Sequence, residues 1–383
     1  MTFRAAHAGV APDGATDNAV ETWQGWHDLA TRCLDRLEAD GAGSGSARGG
    51  FGLVYVSEPL AAELQAILDH LIARTGVADW VGTAAPAICA GRSEYFDGPA
   101  MAVMVCDIPA DSYHIVRAGE ADALSAWTTA HNPAIGIVHG DPRSPSVMTM
   151  APELAAASGA FLVGGLAGAV PGNQIAGDIT EGGMSGILLG AGVSVATGLT
   201  QGCSPIGPVR SVTAMADQAI AELDGEPALA AFRSDIGEVL ARDMRRVAGY
   251  IHGAIPVAGS DTGDYLVRNL AALDPSDETV TLAAPLRVGD RVMFVRRDSA
   301  SAVEDMQRML DTLQRRIGDR KVRGGVYHSC VARGPNQFGA GAQELTAIQN
   351  RFGDIPLIGF FGNGEISHDR LYTYTGVLTL FLD

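Results

Sequence analysis

Apolar and polar positions along this chain fall into one layout that recurs three times. In each copy a β-like apolar run leads into a helical stretch, a second apolar run, a glycine-rich turn and a last strand. The clearest copy comes last. It has a run at residues 325–331, a helix over about 342–352, a run at 355–358, the turn Gly359-Phe360-Phe361-Gly362-Asn363-Gly364-Glu365-Ile366, and a strand at 377–382. The first copy places its two runs, helix and last strand at 51–56, 80–83, 60–74 and 101–105; the second places them at 134–138, 161–168, 152–157 and 186–189. Glycine-rich turns after buried strands bring backbone N–H groups close to whatever lies beside them. The repeat therefore marks where a small molecule would sit, without saying which one.

Outside the copies the pattern predicts an amphipathic helix over residues 19–39, with Trp26, Leu29, Cys33 and Leu37 at spacings of three and four and Asp17 or Asn18 as its cap. A flexible Gly/Ser loop follows at 41–50. A strand is expected at 193–197 and helices over 213–223 and 227–247, the last with Arg242, Arg245 and Arg246 on an exposed face. Strands are expected at 251–257, 265–270, 279–282 and 291–295, then a helix over 302–317 that starts on a capping box of Ser301 and Glu304. Strand–helix–strand alternation with antiparallel additions gives an α/β fold of two domains, with mixed β-sheets built from repeated strand–helix–strand units and packed helices. Residues 1–50 read as a helix and loop, 51–247 as a domain with two copies, and 248–383 as a domain with the third.

At 383 residues, 47% hydrophobic and 19% charged, the chain suits a globular protein with ample core. No apolar run approaches the roughly 20 residues that span a bilayer, and the start has no signal-peptide pattern. Cys33, Cys89, Cys106, Cys203 and Cys330 are widely spaced with no CxxC, which points to a reducing compartment, the cytoplasm. A net charge of −17 argues against nucleic acid as a partner. Lysine chemistry would have to use Lys321, the one lysine of the chain.

Six segments in order resemble the FIST family, a sensory module of paired N- and C-terminal domains in bacterial signalling proteins and some eukaryotic F-box proteins. They are Gln201-Gly202-Cys203-Ser204-Pro205-Ile206-Gly207, Glu222-Leu223-Asp224-Gly225-Glu226-Pro227-Ala228, Tyr265-Leu266-Val267-Arg268-Asn269, Arg297-Asp298-Ser299-Ala300-Ser301-Ala302, Ser329-Cys330-Val331-Ala332-Arg333-Gly334 and the closing turn 359–366. The resemblance implies a sensory protein that binds a small ligand, with amino acids proposed for the family and haem in some bacterial nitric oxide sensors. It also implies a separate signalling partner, such as a histidine kinase or cyclase. One departure stands out: the family's Gly-Glu-Ile turn is replaced in the first copy by Thr83-Ala84-Ala85-Pro86-Ala87-Ile88, which has no acid.

The candidate ligand residues are Cys203, Cys330, Arg333, Asn363 and Glu365. Cys203 lies in a rigid Gly/Pro loop, where it reads as a pocket wall or as a buried thiol of a structural turn. An arginine after the strand that ends at Cys330 suits a bidentate carboxylate clamp, or a tie on its own loop. Arg333 for a carboxylate and Glu365 for an ammonium would match both ends of an amino acid; alternatively Asn363 takes a left-handed turn and Glu365 caps a helix. The nine histidines form no HxH or HExxH, so no metal site is predicted. For haem one axial histidine suffices, which leaves His114, His139, His328 and His368. No GxSxG, Walker or complete GxGxxG motif follows a strand, and no catalytic residue is predicted. The reading is a cytoplasmic, amino-acid-binding sensory protein with no turnover. A haem-based gas sensor, an enzyme using Cys330 or Cys203, and a protein-interaction scaffold stay open beside it.

Overall fold

The computed structural model of the protein describes residues 1–10, 25–39, 50–117, 121–241, 247, 249–259 and 263–383. Asp17, Asn18, the loop from 41 to 49, and Arg242, Arg245 and Arg246 lie outside them. The α/β class with mixed sheets holds. Two compact units interleave along the chain: unit 1 is Met1–Thr200, Met306–Leu371 and Thr375–Asp383, and unit 2 is Gln201–Asp305 with Tyr372–Tyr374.

Unit 1 contains all three copies, and their topology is the same. In each, a lead strand runs parallel to a second strand and antiparallel to a closing strand. The lead strands are Phe51–Ser57, Ile135–Gly140 and Val322–Cys330. Their parallel partners are Asp79–Ala85, Phe161–Leu166 and Leu357–Gly362. The closing strands are Ala100–Cys106, Met184–Leu189 and Thr375–Leu382. The helices Leu64–Thr75, Val147–Ser158 and Gln343–Phe352 make the parallel crossovers. An outer strand precedes each copy and pairs with its closing strand: Phe3–Gly9, Tyr113–Val116 and Val195–Gln201.

The hairpin that follows each second strand does not return to its own copy. The hairpin begun by Ala87–Ala90 extends the sheet of the third copy, Gln174–Ala176 extends that of the first, and Glu365–Ser367 that of the second. Three six-stranded sheets are thus closed by a cyclic exchange of hairpins. Registers identify equivalent positions. Gly82 pairs with Val54, Gly164 with Val138 and Gly359 with Tyr327. A Cβ at these glycines would lie 1.7, 1.8 and 1.7 Å from the partner's carbonyl oxygen, so no side chain fits. One residue further on, Tyr55, His139 and His328 occupy the same place in the three lead strands. They meet in the unit's interior: the Tyr55 hydroxyl lies 3.3 Å from Nε2 of both His139 and His328, and all three are 0% exposed.

The N-terminal helix is Trp26–Leu37, and it buries Leu29, Cys33 and Leu37 of the expected stripe. Each fully buried leucine contributes about 1.5–3 kcal/mol. In unit 2 the expected helix over 213–223 is instead a hairpin of Arg210–Ala216 and Ala219–Leu223. Its turn puts Asp217 at φ 52, which a helix does not admit, and Val212, Ile220 and Leu223 pack inward against Phe232 and Phe294. The helix Ser299–Ile317 starts earlier than its expected capping box. Asp298 caps it, accepting the Ser301 N–H and hydroxyl, each at 2.8 Å. Among the described residues no helix is long and apolar enough to cross a membrane.

The tightest strand approach is directly testable. Gly359→Ala is expected to abolish folding or cost more than about 4 kcal/mol, because a Cβ would overlap fixed backbone. Gly76→Ala, at φ 71 with nothing within 4 Å of its Cβ, is expected to cost about 1–2 kcal/mol. Urea unfolding of the two variants, with equal losses, would contradict this ranking.

Candidate functional site

The polar cluster with most chemistry lies at the C-terminal ends of the third copy's parallel strands, the usual ligand end of α/β sheets. Val322–Cys330 ends in a tight turn, with the Arg333 N–H donating to the Cys330 carbonyl at 2.8 Å. The turn folds Arg333 inward to 0% exposure. There its Nε and Nη2 donate to Oε1 of Glu344 at 2.9 and 2.7 Å. The same carboxylate accepts the Tyr327 hydroxyl at 2.5 Å and, through Oε2, the Gly334 N–H at 2.8 Å. Gly334 is at φ 49, and a Cβ there would meet Phe96 at 2.9 Å and Phe361 at 3.1 Å. Phe338 lies under the guanidinium, 5.0 Å from ring centre to Cζ.

Burial works against the Arg333 charge, but the Glu344 carboxylate outweighs it and holds the guanidinium above its ordinary range. Glu365 is 1% exposed, and its Oε2 accepts the Thr375 hydroxyl at 2.7 Å and N–H at 3.2 Å. Burial pushes its carboxyl from 4.5 to about 8, while the Thr375 hydrogen bonds and the charge of Arg333 pull the other way. Glu94, on the hairpin lent by the first copy, is raised to about 8 by burial and by Glu344. One ion pair is therefore flanked by two carboxyls that hold protons near neutrality. Three buried atoms of this cluster have no partner: Nη1 of Arg333, Oε1 of Glu365 and Oε1 of Glu94.

Of the five residues singled out by sequence, Cys330, Arg333 and Glu365 are buried in unit 1 and Asn363 is exposed there. Cys203 belongs to unit 2, on the strand Cys203–Pro205, buried with its carbonyl accepting the Tyr265 hydroxyl. Arg333 does tie its own loop, through a carboxylate rather than backbone carbonyls. Asn363 does not take the left-handed conformation; His368, at φ 59, does so in the turn after Glu365–Ser367. Glu344, Tyr327 and Glu94 were missed. Glu344 carried a signal: it is an acid in the first turn of Gln343–Phe352, four residues before the buried Ile348 and so on the inward face. Register gives the Glu365 position to Gln174 in the second copy and to Ile88 in the first, since each lies opposite the residue after the tight glycine.

All five cysteines are buried and unpaired by disulfides. Burial raises the thiols of Cys33, to about 12, and of Cys89 and Cys106. His328 directs its Nε2 to Tyr55, and burial lowers both it and His139, the latter to about 3. Among the described residues no group of three or more His, Cys, Asp or Glu is placed to hold a metal ion.

The FIST N domain matches residues 50–226 and the FIST C domain residues 228–368. An uncharacterized protein of Mycobacterium tuberculosis is 30% identical over 329 residues, covering 79% of this chain and 83% of its own. An uncharacterized protein of Mycobacterium bovis is 30% identical over 327 residues, with the same shares of 79% and 83%. F-box only protein 22 of Homo sapiens is 44% identical over 55 residues, 14% of each chain.

Two substitutions test the cluster. Glu344→Gln leaves the buried Arg333 charge uncompensated and is expected to cost about 3–5 kcal/mol in urea unfolding at neutral pH. Glu365 gives a pH signature. The folded state keeps a proton that the unfolded chain releases, so its stabilising share is full below about pH 4.5 and is lost as pH rises through about 8. Relative to Glu365→Gln, the parent should therefore lose stability between those limits; parallel stability curves would rule this out.

Proposed function

The chain belongs to the FIST family, whose domains are associated with sensory signal transduction, and from that premise we propose that it is a receptor for an amino acid or similar zwitterion, bound without turnover. One observation carries the reading. Arg333 Nη1 and Glu365 Oε1 are buried without partners in one cluster, a cationic donor and a carboxyl within electrostatic range of each other. Buried polar atoms of native proteins nearly always have partners, so a missing pair of them fits a ligand's place. A carboxylate on Nη1 and an ammonium on Oε1 would complete both. The ammonium would also displace the Glu365 proton, making the ion pair in a site of low dielectric.

Entry requires the loop over 331–342 to move, since the cluster is closed over. That loop is built for it: Gly339 and Gly341 have φ 82 and 94, and Gly339 has nothing within 4 Å of a Cβ position. The histidine geometry does not favour haem. His139 and His328 turn Nε2 to Tyr55 in a closed interior, His114 stacks on Trp127 at 5.5 Å, and exposed His368 pairs with Asp369 at 3.0 Å.

Calorimetric titration of the full chain with the common amino acids, one at a time, tests the reading. At least one is expected to bind one-to-one and to release a proton near neutral pH, with Glu365→Gln weakening it about tenfold or more. Native mass spectrometry should show the matching adduct. No heat with any amino acid and no adduct would sink the proposal, as would full binding by Glu365→Gln; an adduct of haem mass would replace it.

A further inference from the structure

The lead strand Val322–Cys330 has the buried cluster at one end and a surface groove of about 540 Å³ at the other. We propose that this groove is a second ligand site, independent of the first, for an organic phosphate: a dianionic head carried on an apolar body.

Charge is the first argument. The protein carries 44 acidic and 27 cationic residues, a net −17, so its surface repels anions in general. The groove reverses that sign: Arg320, Lys321, Arg323 and Arg351 line it against the one acid Asp354. Asp354 is already held by Arg92 at 3.0 Å. Arg323 pairs with Asp383 and Arg351 with Asp311, but Arg320 donates only to neutral oxygens, those of Ser194, Ile317 and Arg316. Lys321 has no carboxylate partner among the described residues. Cations at the end of Ser299–Ile317 would ordinarily answer the helix dipole, which accounts for Arg315 and Arg316. Arg320 and Lys321 lie beyond the helix; Arg320 also donates to its last carbonyls, of Arg316 and Ile317, and neither cation has a carboxylate partner among the described residues. Two charges suit a phosphate dianion better than a single carboxylate.

Shape is the second argument. One wall is apolar, with Phe352 and the 5% exposed Phe3, whose ring is fixed by stacking on Phe381 at 4.5 Å. Inorganic phosphate would leave that wall uncovered, and the volume falls within the usual range for small-molecule sites.

The test is calorimetric titration of the full chain, at low salt, with octyl phosphate, ATP and inorganic pyrophosphate. At least one of the two organic phosphates is expected to bind about tenfold or more tightly than pyrophosphate. The pair Arg320→Gln with Lys321→Gln should lose about tenfold or more of that affinity, while Arg315→Gln with Arg316→Gln loses less than about twofold. Both double variants alter exposed positions, and circular dichroism confirms that they fold. No binding by either organic phosphate would overturn the proposal. So would pyrophosphate binding as tightly as the better organic phosphate, or equal loss in the two double variants, which would mark a diffuse electrostatic attraction. Glu365→Gln should leave this binding unchanged, which separates it from the amino-acid reading.

Discussion

Unit 1 depends on how closely two parallel strands approach at three equivalent glycines. At Gly82, Gly164 and Gly359 the neighbouring carbonyl oxygen occupies the space of a Cβ. That approach fixes the register of each lead strand against its second strand. Register in turn fixes which side chains face the interior, because a slip of one residue would turn every one of them outward. Tyr55, His139 and His328 meet for this reason, and Ile88, Gln174 and Glu365 fall at equivalent positions of the three exchanged hairpins.

Those last three positions show how a near-symmetric scaffold acquires one site. The same place holds an apolar side chain, an amide and an acid in turn. The amide accepts a hydroxyl from Ser185, while the acid sits within reach of a buried ion pair and keeps its proton near neutrality. Burying an ion pair carries a desolvation cost that attraction alone does not always offset. The third copy meets it with four hydrogen bonds onto the Glu344 carboxylate, from Arg333 twice, Tyr327 and Gly334. The first copy offers only Ile88, so the departure seen in its turn sequence falls at the position where the acid would stand.

Much of this was legible in the sequence, and the parts that were not have physical reasons. The copies showed because buried parallel strands read as unbroken apolar runs. Pairing did not show, since no local pattern says that the hairpin after Asp79–Ala85 belongs to the third copy's sheet. The outer strands Phe3–Gly9 and Tyr113–Val116 were invisible, being half-buried with polar residues between short apolar ones. Residues 213–223 read as helix because their alanines, Met215, Gln218, Glu222 and Leu223 favour helix, and packing on Phe232 and Phe294 overrides that preference. Arg333 and Glu365 were found by residue type. Glu344 was not, because its role depends on a turn that brings residues 333 and 344 face to face.

The exchange of hairpins bears on how this protein is made. A growing chain emerges one copy at a time, yet no copy owns all the strands of its sheet. The hairpin that starts at Ala87 has no partner until residues 357–362 have left the ribosome. Until then it offers an open strand edge, the feature that draws chains into aggregates. Such long-range pairing also slows folding, because distant segments must be brought together before any bond rewards them. The fold that holds its interior so closely is therefore one that synthesis can complete only at the end, and a nascent chain stalled after the second copy is its most vulnerable form.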